Sequence, residues 1–302
     1  MSTPPAARPR VTPPSLRAKK ARGEPVTMVT AYDYPSALAA DRANLDAILV
    51  GDSLGMVVLG YDDTLRVTME EMLHHARAVA RARPRALLVG DMPFLSYQTS
   101  LADAIRNAGR FLADGGMDAV KLEGGAERAA TVHALVDAGI PVMGHIGLMP
   151  QSIRALGSYR AQGGTATAAR RLLEEALSLE GAGCFAIVLE AVPDRVAALV
   201  TKSLSIPTIG IGAGAGCDGQ VLVFHDVVGL QDSLEPRFVK RYANLLEEAQ
   251  RALEAYRRDV AERRFPAPEH TYSIPDEEWD RLRRDLEANA PASLPRKAPV
   301  AW

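Results

Sequence analysis

Eight short apolar runs punctuate the chain, most of them separated by segments whose apolar residues recur at helical spacing. The runs are VTMVTAYD (26–33), LDAILVGDS (45–53), ALLVGDMPF (86–94), DAVKLEGG (118–125), PVMGHIGL (141–148), CFAIVLEA (184–191), PTIGIGAG (207–214) and QVLVFHDVVG (220–229). Continuous runs of Val, Ile and Leu suit strands buried on both faces, as in a parallel sheet covered by helices. Between them, Thr68 followed by Glu71 forms a capping box, and Met69, Met72, Leu73, Ala76 and Val79 make one apolar stripe. Ser100 with Asp103 opens another helix, in which Leu101, Ala104, Ile105, Ala108, Phe111 and Leu112 repeat before Gly115–Gly116 offers a stop. Leu172, Leu173, Ala176 and Leu177 run up to Gly181 in the same manner, and Pro236 suits a first helical position ahead of Phe238, Tyr242, Leu245 and Leu246. Eight strands with mostly helical crossovers over about 200 residues predict a (β/α)8 TIM barrel rather than an open doubly wound sheet.

The ends break the pattern. Residues 1–13 are rich in Pro and Arg and read as disordered, and residues 14–23 read as a short basic helix that plugs the barrel. After about residue 264 the chain turns Pro-rich again, with Trp279, Leu282 and Leu286 on one face of a short helix from about Asp276. That helix is expected to dock on the barrel or on a neighbouring subunit rather than to form a separate domain. The expected organisation is therefore a tail and helix over 1–25, a catalytic barrel over 26–264, and an extension over 265–302.

Composition narrows the functional classes. Of the 302 residues 47% are apolar and 24% charged, with a formal net charge of −2, which argues against a nucleic-acid or membrane-surface footprint. No stretch approaches the roughly 20 apolar residues of a membrane span, and the N-terminal segment lacks the apolar core of a secretory signal. Two cysteines, Cys184 and Cys217, make neither a disulfide framework nor a metal cluster, and read as free thiols in a cytoplasmic protein.

In a barrel, reactive groups gather at the C-terminal ends of the strands. The strand ends here carry Asp33, Asp52–Ser53, Asp91, Lys121–Glu123, His145, Glu190 and Gly212–Gly214. Alternation puts Lys121 and Glu123 on one face of their strand, Leu87, Val89 and Asp91 on one face of theirs, and Ile48, Val50 and Asp52 together likewise. Each residue alone has a bland explanation: an Asp after a strand caps or turns, a Lys near a Glu pairs with it, and His145 can be a satisfied core histidine. His74 and His75 are consecutive on a helix, point about 100° apart and make poor co-ligands. The GIGAG loop fits a phosphate cradle or close backbone packing equally well. Convergence changes the balance. Four carboxylates (Asp52, Asp91, Glu123, Glu190) and a lysine on one rim call for a hard divalent cation, and oxygen-only ligands favour Mg²⁺.

The stretches MVTAYDYPSA, ILVGDSLGMVVLGYDDTL, DMPFLSYQ, VKLEGG, VMGHIGLMPQS, LEAVP, IGIGAGAGCDGQVLV and FPAPEHTY are collinear over residues 26–272 and resemble the ketopantoate hydroxymethyltransferase family. The resemblance implies a (β/α)8 barrel that moves a one-carbon unit from 5,10-methylenetetrahydrofolate to 3-methyl-2-oxobutanoate, giving 2-dehydropantoate in pantothenate biosynthesis. It assigns Asp52 and Asp91 to substrate and Mg²⁺, Glu123 to the same metal site directly or through water, Ser53 and Lys121 to the 2-oxoacid, and Glu190 to proton removal. His145 matches a position near the substrate carboxylate, the glycines of KLEGG are expected to let folate approach, and the family implies a homodecamer. Arg66 stands where the family usually has proline, and the residues after Tyr272 have no counterpart in it. A rival with the same fold is a Mg²⁺-dependent 2-oxoacid lyase or mutase of the isocitrate lyase group, for which a rim cysteine or an arginine-rich phosphonate pocket is expected. Cys184 begins its strand, at the wrong end, and Cys217 falls in a loop.

Overall fold

The computed structural model describes residues 9–157, 160–232 and 236–289. Eight parallel strands close into a barrel in chain order: β1 (Val26–Thr30), β2 (Ala47–Val50), β3 (Leu87–Asp91), β4 (Ala119–Glu123), β5 (Val142–Gly147), β6 (Ala186–Glu190), β7 (Thr208–Ile211) and β8 (Gly219–Leu222). The ring is closed by β8 against β1, with Val26 opposite Gly219 and Val29 opposite Leu222.

The period-two alternation of each strand sorts the core into two layers. Met28, Leu49, Val89, Ala119, Met143, Val188, Ile209 and Val221 fill the interior. Their neighbours Val29, Ile48, Leu88, Val120, Ile146 and Leu189 face outward, into a second cluster with helix residues. Lys121 and Glu123 follow Ala119 inward, as the alternation predicts, and Asp91 follows Leu87 and Val89. The parity of β2 is the reverse of the expectation: Ala47 and Leu49 point in, while Ile48 and Val50 pack against helices. Strand β2 ends at Val50, and a turn over 51–53 breaks the alternation, so Asp52 reaches the mouth from a turn rather than from the strand.

In chain order the helices are α1 (Pro13–Ala21), α2 (Tyr34–Arg42), α3 (Leu54–Val57), α4 (Met69–Ala80), α5 (Leu101–Ala113), α6 (Ala129–Asp137), α7 (Ile153–Leu156), α8 (Ala166–Gly181), α9 (Asp194–Ser203), α10 (Phe224–Val228), α11 (Leu245–Ala261) and α12 (Asp276–Ala288). The reciprocal Thr68–Glu71 box opens α4, whose Met72, Leu73, Ala76 and Val79 are buried, and Ser100 caps α5. Helix α1 is a plug: Leu16 is fully buried among the interior residues, and Lys19 and Lys20 pair with Asp46 and Asp218 at the N-terminal end of the barrel. Order begins earlier than the composition suggests, because Val11 N–H donates to Arg85 O (2.8 Å) and Arg10 grips Asp118. Residues 1–8 lie outside the described residues.

One expectation yields to long-range contacts. No helix starts at Pro236: residues 236–244 form turns and bends, with Tyr242 N–H donating to Val227 O and Leu246 N–H to Gly229 O, so helical residues begin only at Leu245. Nor is there a helix between β7 and β8. The GAGAGCD return (212–218) is pressed so close to α9 that a Cβ on Gly214 would meet Asp194 Cβ at 2.7 Å, and one on Gly216 would meet Ala198 Cβ at 2.7 Å. Close packing, one of the two readings of this glycine loop, accounts for both positions.

The chain divides into two compact units between Leu246 and Glu247. In the second unit, Phe265 contacts the rings of Tyr256 and His270 at 5.6 and 5.2 Å. Helix α12 starts at Asp276 and presents Trp279, Leu282 and Leu286 as exposed side chains at helical spacing.

Candidate active site

The C-terminal mouth of the barrel opens into a cavity of about 1090 Å³ lined by Asp52, Ser53, Asp91, Lys121, Glu123 and Glu190, with His145 and Asp226. Strand register sets the neighbours. Asp91 lies beside Lys121 across β3 and β4, and Glu123 beside His145 across β4 and β5. The six residues assigned to the site from the sequence, and His145, are thus brought to one cavity, whereas Asp33 caps α2. His74 and His75 are not among them; His75 Nδ1 lies 2.6 Å from Tyr32 O, a packing role.

The charges are crowded and dry. Lys121 Nζ lies 3.0 Å from Asp91 Oδ1, 3.9 Å from Glu123 Oε1 and 3.1 Å from His145 Nδ1. Burial alone would discharge the ammonium, but Asp91, Glu123 and Asp52 outweigh it and hold Lys121 above its usual range. Burial pushes Asp91 up to about 7, Lys121 pulling the other way and Asp52 adding to the rise. Glu123 is likewise pushed well up by burial, against Lys121 and with Asp52, Asp91 and Glu190 reinforcing it. His145 is held neutral by burial and by Lys121, and its Nε2 faces Glu190 Oε2 at 3.3 Å. Because an ammonium can only donate, Nδ1 is the acceptor and Nε2 carries the proton, directed at Glu190.

These residues fit a hard divalent cation. Asp52 Oδ2, Asp91 Oδ2 and Glu123 Oε2 each accept a hydrogen bond, from Gln151 Nε2 (2.9 Å), Asp52 N (3.2 Å) and Gln151 N (3.0 Å). Asp91 Oδ1 and Glu123 Oε1 are buried with no hydrogen bond, facing Lys121. Carboxylate oxygens buried without a hydrogen bond are what a cation relieves. Among the described residues no three acidic, His or Cys side chains converge closely enough to hold an ion by themselves. That suits Mg²⁺, which binds through one or two carboxylates and keeps the rest of its octahedron for water and substrate oxygens.

Ser53 is held from behind. Phe224 N–H donates to Thr30 Oγ1 (2.9 Å), Thr30 Oγ1–H to Tyr32 Oη (2.8 Å), and Tyr32 Oη meets Ser53 Oγ at 2.9 Å. The glycines of KLEGG face elsewhere. A Cβ on Gly124 would strike the Arg128 side chain at 2.3 Å, and one on Gly125 would strike Glu175 at 2.5 Å. Their smallness thus admits neighbouring side chains, and the expected approach of folate there has no support.

Tyr32, Tyr97 and Gln151 are buried polar residues at the mouth that sequence reasoning did not single out. All three lie within the motif stretches AYD, DMPFLSYQ and LMPQS, but uncharged side chains off the strand ends carry no sign of where they point.

Comparison with known proteins identifies the family. The family model described as ketopantoate hydroxymethyltransferase matches residues 10–268. A 3-methyl-2-oxobutanoate hydroxymethyltransferase of Moorella thermoacetica is 59% identical over 267 residues, covering 88% of this chain and 99% of its own. The one of Carboxydothermus hydrogenoformans is 56% identical over 273 residues, covering 90% and 99%. Among solved structures, phosphoenolpyruvate phosphomutase from Streptomyces platensis subsp. rosaceus superposes with a TM-score of 0.56 at 16% identity, covering 93% of this chain and 100% of that one. For 2,3-dimethylmalate lyase the values are 0.55 and 17%, covering 93% and 99%. At such identities these two share the barrel fold alone, whereas the sequence matches run nearly end to end through the site. The chain belongs to the ketopantoate hydroxymethyltransferase family.

Proposed function

We propose that this barrel transfers a one-carbon unit from 5,10-methylenetetrahydrofolate to C3 of 3-methyl-2-oxobutanoate, water supplying the new hydroxyl, to give 2-dehydropantoate and tetrahydrofolate. The observation that carries the reading is the gathering of one buried ammonium, two orphaned carboxylate oxygens and the less buried Glu190 around one cavity, in a chain 59% identical to a relative of that name.

Asp52 and Asp91 would hold Mg²⁺, with Glu123 beside it directly or through water. When bound, the ion supplies Lewis acidity toward the ketone and carboxylate oxygens of a 2-oxoacid. Lys121 stays protonated among its carboxylates and pairs with the substrate carboxylate. Ser53 offers its hydroxyl to the same group, its Oγ held 2.9 Å from the Tyr32 Oη that accepts the Thr30 proton. Glu190, with a side chain 15% exposed, is the carboxylate free to reach a substrate carbon and takes the C3 proton. Neutral His145 stands beside it, Nε2 3.3 Å from Glu190 Oε2, rather than competing for the proton.

The lyase or mutase reading is weaker on chemistry. Cys184 sits at the N-terminal end of its strand, buried, with its thiol pushed up to about 12. Such a thiol is inert at neutral pH. The catalytic domain is proposed to end before the Pro-rich extension at 265–302. Decameric assembly rests on the family resemblance, and a cytoplasmic location on the two free thiols. No helix among the described residues is long and apolar enough to cross a membrane. The decisive assay measures 2-dehydropantoate formation from both substrates with and without EDTA. Folate-dependent product that EDTA abolishes and Mg²⁺ restores is expected; product formation that ignores EDTA would overturn the metal's role.

A further inference from the structure

Gln151 lies just beyond β5, on no strand end, and carries no charge, yet it is tied to two of the three carboxylates proposed for the cation. Its Nε2 donates to Asp52 Oδ2 (2.9 Å) and to Met92 O (2.9 Å), while its backbone N–H donates to Glu123 Oε2 (3.0 Å). Its Oε1 accepts from Tyr97 Oη (2.8 Å) and lies 3.3 Å from Gln98 Nε2. The amide has only one workable orientation, since both groups at its nitrogen end are pure acceptors and both at its oxygen end can donate. Tyr97 is in turn fixed by the backbone of the metal strand, because Glu123 N–H donates to its Oη (3.1 Å). The residue is 4% exposed, so these contacts are made away from bulk solvent.

We infer that Gln151 is a positioning residue for the divalent cation: it occupies one oxygen of Asp52 and one of Glu123, so that each carboxylate offers its other oxygen to the ion. The third, Asp91, has its Oδ2 occupied by Asp52 N–H (3.2 Å), so the hold on Asp52 passes to Asp91 as well. One-oxygen presentation suits an octahedral ion with short bonds better than the chelating grip that larger cations accept. The inference rests on the proposed reading that the mouth binds Mg²⁺, and outer partners of this kind are generally worth about 10–100-fold in metal affinity.

The test is a titration with Mn²⁺, a paramagnetic stand-in for Mg²⁺, followed by electron paramagnetic resonance on the full chain with 3-methyl-2-oxobutanoate present. Gln151→Met keeps the volume and removes every side-chain hydrogen bond; its Mn²⁺ affinity is expected to fall by about 10–100-fold. The half-saturating Mg²⁺ concentration for turnover should rise in step. Tyr97→Phe, which keeps the ring but removes the hydroxyl shared by Gln151 Oε1 and the Glu123 backbone, serves if the first variant does not fold. It should weaken Mn²⁺ several-fold and in the same direction. Folded variants that bind Mn²⁺ within twofold of wild type would overturn the inference while leaving the metal reading intact. Wild type with no saturable Mn²⁺ binding would overturn both.

Discussion

The two ends of this barrel use the same residue types to opposite effect. At the N-terminal end each cation has its own carboxylate. Lys19 Nζ meets both oxygens of Asp46 at 2.7 Å, Lys20 meets Asp218 at 2.9 Å and Thr201 O at 2.8 Å, and Arg10 takes both oxygens of Asp118. The acids there are doubly used, since Asp46 and Asp218 also accept from Thr27 N and Thr208 N at 2.8 Å. At the C-terminal end one ammonium stands among Asp52, Asp91 and Glu123, and two buried oxygens have no hydrogen bond. The first arrangement is complete as folded. The second becomes complete only when a ligand arrives, which is the usual division of labour in this architecture. The comparison teaches how to tell fold-supporting charge from working charge without an alignment: count partners per charge, not charges.

The largest expected break is at Glu190. Glu190→Gln keeps shape and hydrogen bonding but removes the proton acceptor, so kcat should fall by about 10²–10⁴-fold with KM little changed. Deuterium exchange at C3 of 3-methyl-2-oxobutanoate, read by NMR without folate, isolates the step. A variant that exchanges as fast as wild type would send the search for the base elsewhere.

Asp91→Asn comes next. It should weaken Mg²⁺ binding in the presence of the oxoacid by more than about tenfold on calorimetry, roughly 1.4 kcal/mol. The same residue makes a pH statement. Asp91 is raised from an ordinary 3.8 to about 7, so the folded protein holds this proton more tightly than the unfolded chain does. Its contribution to stability is present at low pH and lost as pH rises through about 7. Without divalent cations, the melting temperature of wild type should therefore fall from about pH 4 to about pH 7 and level off above that, and that of Asp91→Asn should fall less. Parallel curves would count against the crowding described at the mouth.

At the other end the effects invert. Lys20→Ala should cost about 1–2 kcal/mol of stability in denaturant melts, as expected for a part-buried, charge-assisted contact, and leave kcat within about twofold. A large loss of activity with stability intact would blur the distinction between the ends. The smallest effect is expected from truncation after Tyr272, which should leave turnover nearly unchanged. A loss beyond roughly tenfold would mean that Trp279 and its neighbours help build the site.

The sequence made part of this contrast legible. Lys121 and Glu123 fall on one face because β4 is an uninterrupted pleat, and parity holds through it. Parity failed for Asp52 because β2 stops at Val50 and a turn resets the direction, a boundary that apolar content does not mark. Pro236 looked like a helix start, but Val227 and Gly229 offer carbonyls that only the folded chain brings near. Gln151 was invisible for the same reason: its partners Asp52, Met92 and Glu123 lie on other strands and turns, and no local spacing encodes them.

The plug and the barrel seam also set an order of events during synthesis. Lys20 needs Asp218, β1 needs β8, and the Thr30 hydroxyl that supports Tyr32 needs Phe224 N–H, 194 residues further on. These are among the most distant contacts a chain of this size can make, and closing such loops is slow. Until the ribosome has released β8, the nascent half-barrel carries β1 as an unpaired edge with Leu16 uncovered. An open parallel edge of that kind is a template for wrong pairing. The segment that ends at Leu222 is thus the last one needed before the chain can protect itself, and chaperone demand should drop once it emerges.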